Sequence, residues 1–166
     1  MLVLSEDSCQ SSAMDVSMVR DRVGIVIRPL TSSEIPRMVA LWKESGLLFK
    51  PKGRDRIEAL QKQRRRDPGL FIGAFVGGEI VGSVIASDDG RRGWINRLVV
   101  LPSSRGKGVA KALIKAAERA LRKRGRHLFC IHIESDNEPS MRLFETAGYT
   151  REMEILYFTK RERQSY

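Results

Sequence analysis

Little in this chain of 166 residues suits redox or metal chemistry: it holds only two cysteines and two histidines. Cys9 lies in a weakly patterned N-terminal stretch and Cys130 inside an apolar run. Cys130 therefore reads as a small buried hydrophobe rather than half of a disulfide, a usage that suits a reducing cytosol. Cys130 and His132 form a C-x-H pair, but no second ligand pair follows, so no zinc or other metal site is expected. No apolar run approaches the length of a membrane span. The start, MLVLSEDSCQ, lacks the basic and apolar regions of a signal peptide, so a cytoplasmic protein without membrane partners is expected. Aromatic residues are only 7% of the chain, and neither RRM nor C₂H₂ spacing occurs.

What is present describes one globular domain: 42% apolar and 30% charged residues, in a length able to bury its own core. The net charge of +10 points to an anionic partner, which could be nucleic acid, an acidic surface or a phosphate-rich ligand. The basic runs Arg64–Arg66 and Arg122–Arg124 fall at predicted helix ends, where cations complement the dipole, so they count little towards nucleic acid.

Residues 1–22 are Ser-rich and weakly patterned, and are expected to be a flexible extension preceding a domain over 23–166. Gly24 to Arg28 reads as a strand, and Thr31 with Glu34 as a capping box opening a helix to Glu44. A polar helix follows over Arg54 to Arg66. Strands Leu70 to Val76 and Glu79 to Ala86 flank Gly77-Gly78 as a hairpin, and Gly93 to Leu101 is a third strand stopped by Pro102. After Gly108 the period changes. Val109, Leu113, Ala116, Ala117, Ala120 and Leu121 share a helical face, and Gly125 ends that helix. His127 to Ile133 is the next strand, Asn137 to Ala147 a short helix, and Glu152 to Lys160 a last strand. The expected fold is α/β: a mixed sheet, antiparallel at first, with a parallel central pair made by a right-handed crossover, and helices on its faces.

The chemistry concentrates in Arg105-Gly106-Lys107-Gly108-Val109-Ala110, between a strand and a strongly patterned helix. The first backbone N–H groups of a helix have no partner within it. The two glycines let the chain curl so that these donors converge, and the dipole, Arg105 and Lys107 add positive charge. Such a loop suits a pyrophosphate. It is not a G-x-x-x-x-G-K-[ST] P-loop, nor a G-x-G-x-x-G dinucleotide loop.

These residues resemble a known family. LVVLPSSRGKGVA carries [QR]-x-x-G-x-[GA] after an apolar strand and Pro, the signature of the GCN5-related N-acetyltransferases. Asn137, Ser140, Leu143, Phe144 and Gly148-Tyr149 follow that family's second block, and the element order from Gly24 to Lys160 agrees. The resemblance implies a single domain of that fold that moves the acetyl group of acetyl-CoA to a primary amine by direct attack in a ternary complex. It implies a bulge in Leu98-Val99-Val100, whose freed backbone groups pair with the pantetheine arm, one N–H polarising the thioester carbonyl. Arg105, Gly106, Lys107, Gly108, Val109 and Ala110 would wrap the pyrophosphate, and Asn137 would hydrogen-bond the coenzyme from across the cleft. Asn137, followed by Pro139, is equally well placed as an N-cap.

The amine must lose a proton and the departing sulfur gain one. Relatives that acetylate protein N-termini often carry a Glu base at the position that is His132 here, and histidine can accept a proton near neutral pH. The alternative is a strand histidine with no part in catalysis. Many relatives place a Tyr acid seven residues after the Asn, where this chain has Phe144. That departure leaves Tyr157, on the expected last strand, or Tyr149, which otherwise fills the packing position of the family's G-F pair. Glu134 and Asn96 are the remaining polar residues near the expected cleft. Loss of the Tyr also keeps open a catalytically weak acetyl-CoA sensor; a basic nucleic-acid-binding module stands behind both. The acceptor could be a protein N-terminus, a lysine or a small amine. Homodimers are common in the family, and nothing in this sequence specifies one.

Overall fold

The computed structural model describes residues 19–20, 24–152 and 158–160. The core is one twisted sheet in the order β1 (Val19–Arg20), β2 (Val26–Pro29), β3 (Phe71–Val76), β4 (Glu79–Asp88), β5 (Gly93–Val100) and β6 (Phe129–Cys130). Neighbouring strands run antiparallel except β5 and β6, which are parallel. Val19 and Arg20 lie within the stretch expected to be an extension, yet they pair with Ile27 and Val26. Gly77 and Gly78 both have positive φ, 57° and 85°, which is what a two-residue hairpin between β3 and β4 requires.

Strand alternation sorts the apolar residues onto two faces. On one face, Ile72, Ala74, Val84, Ala86 and Ile95 pack against α3 (Val109–Arg122), whose Leu113, Ile114, Ala117 and Leu121 are essentially fully buried. Lys111, Lys115, Arg119 and Arg122 on its other side are exposed, so one helix satisfies both the core and water. Each large side chain buried this way contributes about 1.5–3 kcal/mol. Bonds from Gly125 N–H to Arg122 O (2.9 Å) and from Arg126 N–H to Leu121 O (3.1 Å) close the helix as a Schellman motif. On the opposite face, Phe71, Phe75, Ile85 and Val99 pack with Leu30 against α1 (Ile35–Glu44) and Leu60 of α2 (Ile57–Arg66). The buried Trp42 of α1 donates its Nε1–H to Ser83 Oγ at 3.1 Å, leaving no orphaned donor there.

The capping box at Thr31 and Glu34 is present, although it opens a 3₁₀ turn, Ser32–Glu34, that leads into α1. The expected strand over His127–Ile133 contracts, among the described residues, to Phe129–Cys130, which pairs with Gly93 and Trp94 of β5. The last helix, α4 (Glu138–Thr146), follows directly. Of the strand expected over Glu152–Lys160, 153–157 lie outside the described residues, and Glu152 and 158–160 are in neither helix nor strand.

Candidate active site

β5 decides where the site opens. Its register against β4 advances from Ser83↔Val99 to Ile85↔Asn96, which places an extra residue in β5 around Arg97 and Leu98. Arg97 has φ 52°, the only positive φ at a non-glycine among the described residues. The bulge therefore starts at Arg97, ahead of the expected Leu98–Val100. Pairing with β6 ends at Trp94↔Cys130, so among the described residues no strand lies beside the other edge of β5 from Ile95 onward. A bulged strand bends away from its parallel neighbour, which explains the shortened β6. The result is a split edge between β5 and the chain after Cys130.

The loop after β5 turns through Pro102–Ser104 and enters α3, with Gly106 at φ 74° and Gly108, the N-cap residue, at φ 81°. None of the backbone N–H groups from Gly106 to Lys111 meets an acceptor among the described residues; the first helical bond is Ala112 N–H to Gly108 O at 3.0 Å. Apart from Lys107, the residues that carry these donors border a cavity of about 310 Å³ lined by Val100, Ser104, Arg105, Gly106, Gly108, Val109, Ala110, Lys111 and Leu143. Arg105 donates its Nε–H to Val100 O at 3.2 Å, which braces the loop against β5 and leaves the rest of the guanidinium available. Lys107 lies apart from this group. Its Nζ donates to Ser103 O at 2.9 Å, and the residue lines a second cavity of about 320 Å³ with Ile25, Val76 and Val81.

Val100 is thus brought to the loop, whereas Val99 is buried against α1 and α2, and Leu98 packs on the α3 side. Leu143 enters from α4 as a wall residue. Asn137 caps α4, its Oδ1 accepting from Ser140 N–H at 3.2 Å, so its side-chain N–H₂ stays available for a second task. His132 is exposed, and its ring stands 4.8 Å from the ring of Trp94. Asn96 shares that face of the sheet, donating to Ser87 Oγ at 3.0 Å. Tyr157 lies outside the described residues.

Phe144 is 3% exposed and meets Tyr149 edge-on at 5.0 Å. Tyr149 donates its hydroxyl to Glu118 of α3 at 3.1 Å, and burial, with the Glu118 carboxylate beside it, raises the phenol well above its ordinary pKa. That hydroxyl is held on α3, and Tyr149 fills a packing position. Among the described residues no group of three or more His, Cys, Asp or Glu could hold a metal ion, and no helix is long and apolar enough to cross a membrane.

Sequence reading missed Arg97 and its partner Asp55. Arg97 Nη2 donates to Asp55 Oδ2 at 2.7 Å and Nη1 to Leu48 O at 2.8 Å. A signal was available. Asn96-Arg97 sets two polar residues side by side in a strand, which breaks the period of two and marks a bulge.

Comparison with known proteins gives the family and the fold. Residues 35–149 match the acetyltransferase (GNAT) family. The acetyltransferase SG1711 of Sodalis glossinidius is 32% identical over 142 residues, spanning 84% of this chain and 99% of its own. The acetyltransferase plu1384 of Photorhabdus laumondii is 33% identical over 136 residues, 81% of this chain and 94% of its own. Among solved structures, the aminoglycoside acetyltransferase AAC(6')-Iy bound to a CoA bisubstrate analogue superposes with a TM-score of 0.71 at 22% identity, covering 82% of this chain and 98% of that one. The PaiA N-acetyltransferase of Thermoplasma acidophilum, bound to coenzyme A, gives 0.69 at 20% identity, covering 77% and 91%. By sequence and by fold, the chain belongs to the GNAT family of acetyl-CoA-dependent N-acetyltransferases.

Proposed function

We propose that this enzyme acetylates a primary amine (of a small molecule, a lysine or a protein N-terminus) by direct attack within a ternary complex formed at the split edge of β5. The observation that carries the reading is the run of N–H groups from Gly106 to Lys111 that meet no acceptor among the described residues, at the head of a helix and beside a cavity of about 310 Å³. A diphosphate fits that donor set, because it brings several anionic acceptors to converging N–H groups and a positive dipole end. Arg105 adds formal charge there, and Lys107 would do so after leaving Ser103 O. The edge of Leu98, Val99 and Val100 would receive the amides of the pantetheine arm, and Asn137 Nδ2 would donate to it from the opposite side.

The coenzyme supplies an acetyl group activated as a thioester; the protein supplies position and proton transfer. His132, held against Trp94 on the open face, would take the proton from the ammonium so that its nitrogen carries a free lone pair. Tyr157 Oη is the proposed source of the proton that the departing sulfur gains. Titration calorimetry with acetyl-CoA, followed by thiol release across amines and peptides, tests the reading. The solved neighbour with an aminoglycoside bisubstrate analogue makes small polyamines the first arm of that screen. His132→Ala should lower turnover by about 10²–10⁴ while leaving acetyl-CoA affinity nearly unchanged; near-normal turnover across pH would remove His132 from the mechanism.

A second reading has one observation behind it. Phe144 carries no hydroxyl and Tyr149 spends its own on Glu118, so the described part of the site offers no phenol to the sulfur. Coenzyme binding with no thiol release from any amine would identify a sensor. The free Cys130 accords with a cytosolic location, which belongs to the same proposal.

A further inference from the structure

The chain between α1 and α2 is held at both ends by one side chain. Arg97 gives Nη1 to Leu48 O at 2.8 Å and Nη2 to Asp55 Oδ2 at 2.7 Å. The same Oδ2 accepts from Lys50 N–H at 2.8 Å, so the fork and the carboxylate close the loop on itself. The pair is well shielded, with side-chain exposures of 20% for Arg97 and 7% for Asp55, and the guanidinium lies 5.7 Å from the Trp42 ring. Nearby, Leu48 is 84% exposed. The anchoring residue is also the one whose backbone departs from β geometry. At φ 52° a non-glycine residue is strained, and strain of this kind persists where surrounding contacts hold it.

We infer that Arg97 is a positioning residue that couples the occupied edge of β5 to the order of the loop over residues 46–56. The inference rests on the coenzyme reading above. Fixing Leu98–Val100 by pairing along their free edge fixes the bulge, and with it the backbone that aims the guanidinium. The fork then holds Leu48 and Asp55 together on the sheet face that also presents Asn96, Trp94 and His132. Without that pairing the same contacts form, but the bulge is freer to make excursions towards ordinary β geometry, and the loop's shared anchor opens more often.

The test is hydrogen–deuterium exchange of the full chain with and without coenzyme A, alongside calorimetry, on the wild type, Asp55→Asn, Arg97→Gly and Arg97→Lys. Coenzyme A should slow exchange over 46–56 in the wild type by about tenfold, within the usual range of coupling between sites. In Asp55→Asn and Arg97→Gly that added protection should disappear and the coenzyme should still bind, weaker by no more than the roughly tenfold that reciprocal coupling allows. Arg97→Gly removes the fork and also relieves the positive φ, so a merely structural arginine predicts a protein with unchanged loop response. Arg97→Lys keeps one charged contact but not the fork, and should recover part of the protection. Binding without loop protection in the wild type, or equal protection in the variants, overturns the inference and leaves the coenzyme reading standing. No binding of coenzyme A to the wild type overturns both.

Discussion

Gly108 allows folding and binding to be pulled in different directions. It is the N-cap of α3 at φ 81°, and a Cβ built there meets nothing within 4 Å, so a side chain has room and the cost is conformational. Asn and Asp tolerate the left-handed region better than other residues, at about 1–2 kcal/mol or less. An Asp there also gains about 0.3–1 kcal/mol from the helix dipole. Gly108→Asp and Gly108→Asn should therefore both fold, with stabilities within about 1 kcal/mol of wild type. Binding should separate them. A carboxylate about 5 Å from a phosphate, at an effective dielectric of about 20, is repelled by about 3 kcal/mol per pair of unit charges. That is about two orders of magnitude in Kd. Asn has the same shape without the charge, so its coenzyme affinity should fall far less. Calorimetric titration with coenzyme A at low and moderate salt reads the difference, which should shrink as ionic strength rises. Equal affinities for the Asp and Asn variants would refute the placement of the diphosphate at this loop.

Other expectations concern the scaffold. Tyr149→Phe should cost about 1 kcal/mol of stability through the lost bond to Glu118, with turnover unchanged; a large fall in turnover at wild-type stability would return the hydroxyl to the chemistry. Hydrogen bonds from Arg28, at 2.6 and 2.9 Å, hold the Glu34 carboxyl down at about 2. Its stabilisation is thus complete above the unfolded value near 4.3 and lost as pH falls through about 2. Melting of Glu34→Gln against wild type should show a gap above pH 5 that closes towards pH 2; a gap constant with pH would contradict it. Gly82→Ala places a Cβ 3.0 Å from Val99 O and 3.1 Å from Leu113 Cδ1, and should destabilise by about 1–3 kcal/mol in urea unfolding.

Much of this was legible in the chain because it rests on local chemistry. The capping box, the Gly77-Gly78 hairpin, the change of period after Gly108 and the Asn137 cap are each written in a few adjacent residues. The glycine-relaxed turn into α3, proposed above to hold the diphosphate, is written in the same local way. What escaped depends on partners far apart in sequence. Asp55 stands among Lys50, Lys52, Arg54 and Arg56 and looks like one more solvated charge, until the fold brings Arg97 to it from 42 positions away. Likewise, His127 to Ile133 has the composition of a full strand, but the bend of β5 leaves its pairing with that strand at Phe129 and Cys130. The resting bond of Lys107 Nζ to Ser103 O is also a contact that its position in the motif does not show.

α3 carries the exposed donors at its head and much of the buried apolar core along its side. Whatever settles on those donors also holds down the keystone of the domain. Thermal resistance should then track coenzyme supply: at a hundredfold excess over Kd the folded form gains about 2.7 kcal/mol. A cell short of the donor would hold a softer, more readily degraded enzyme, so its abundance would follow its substrate with no dedicated regulator.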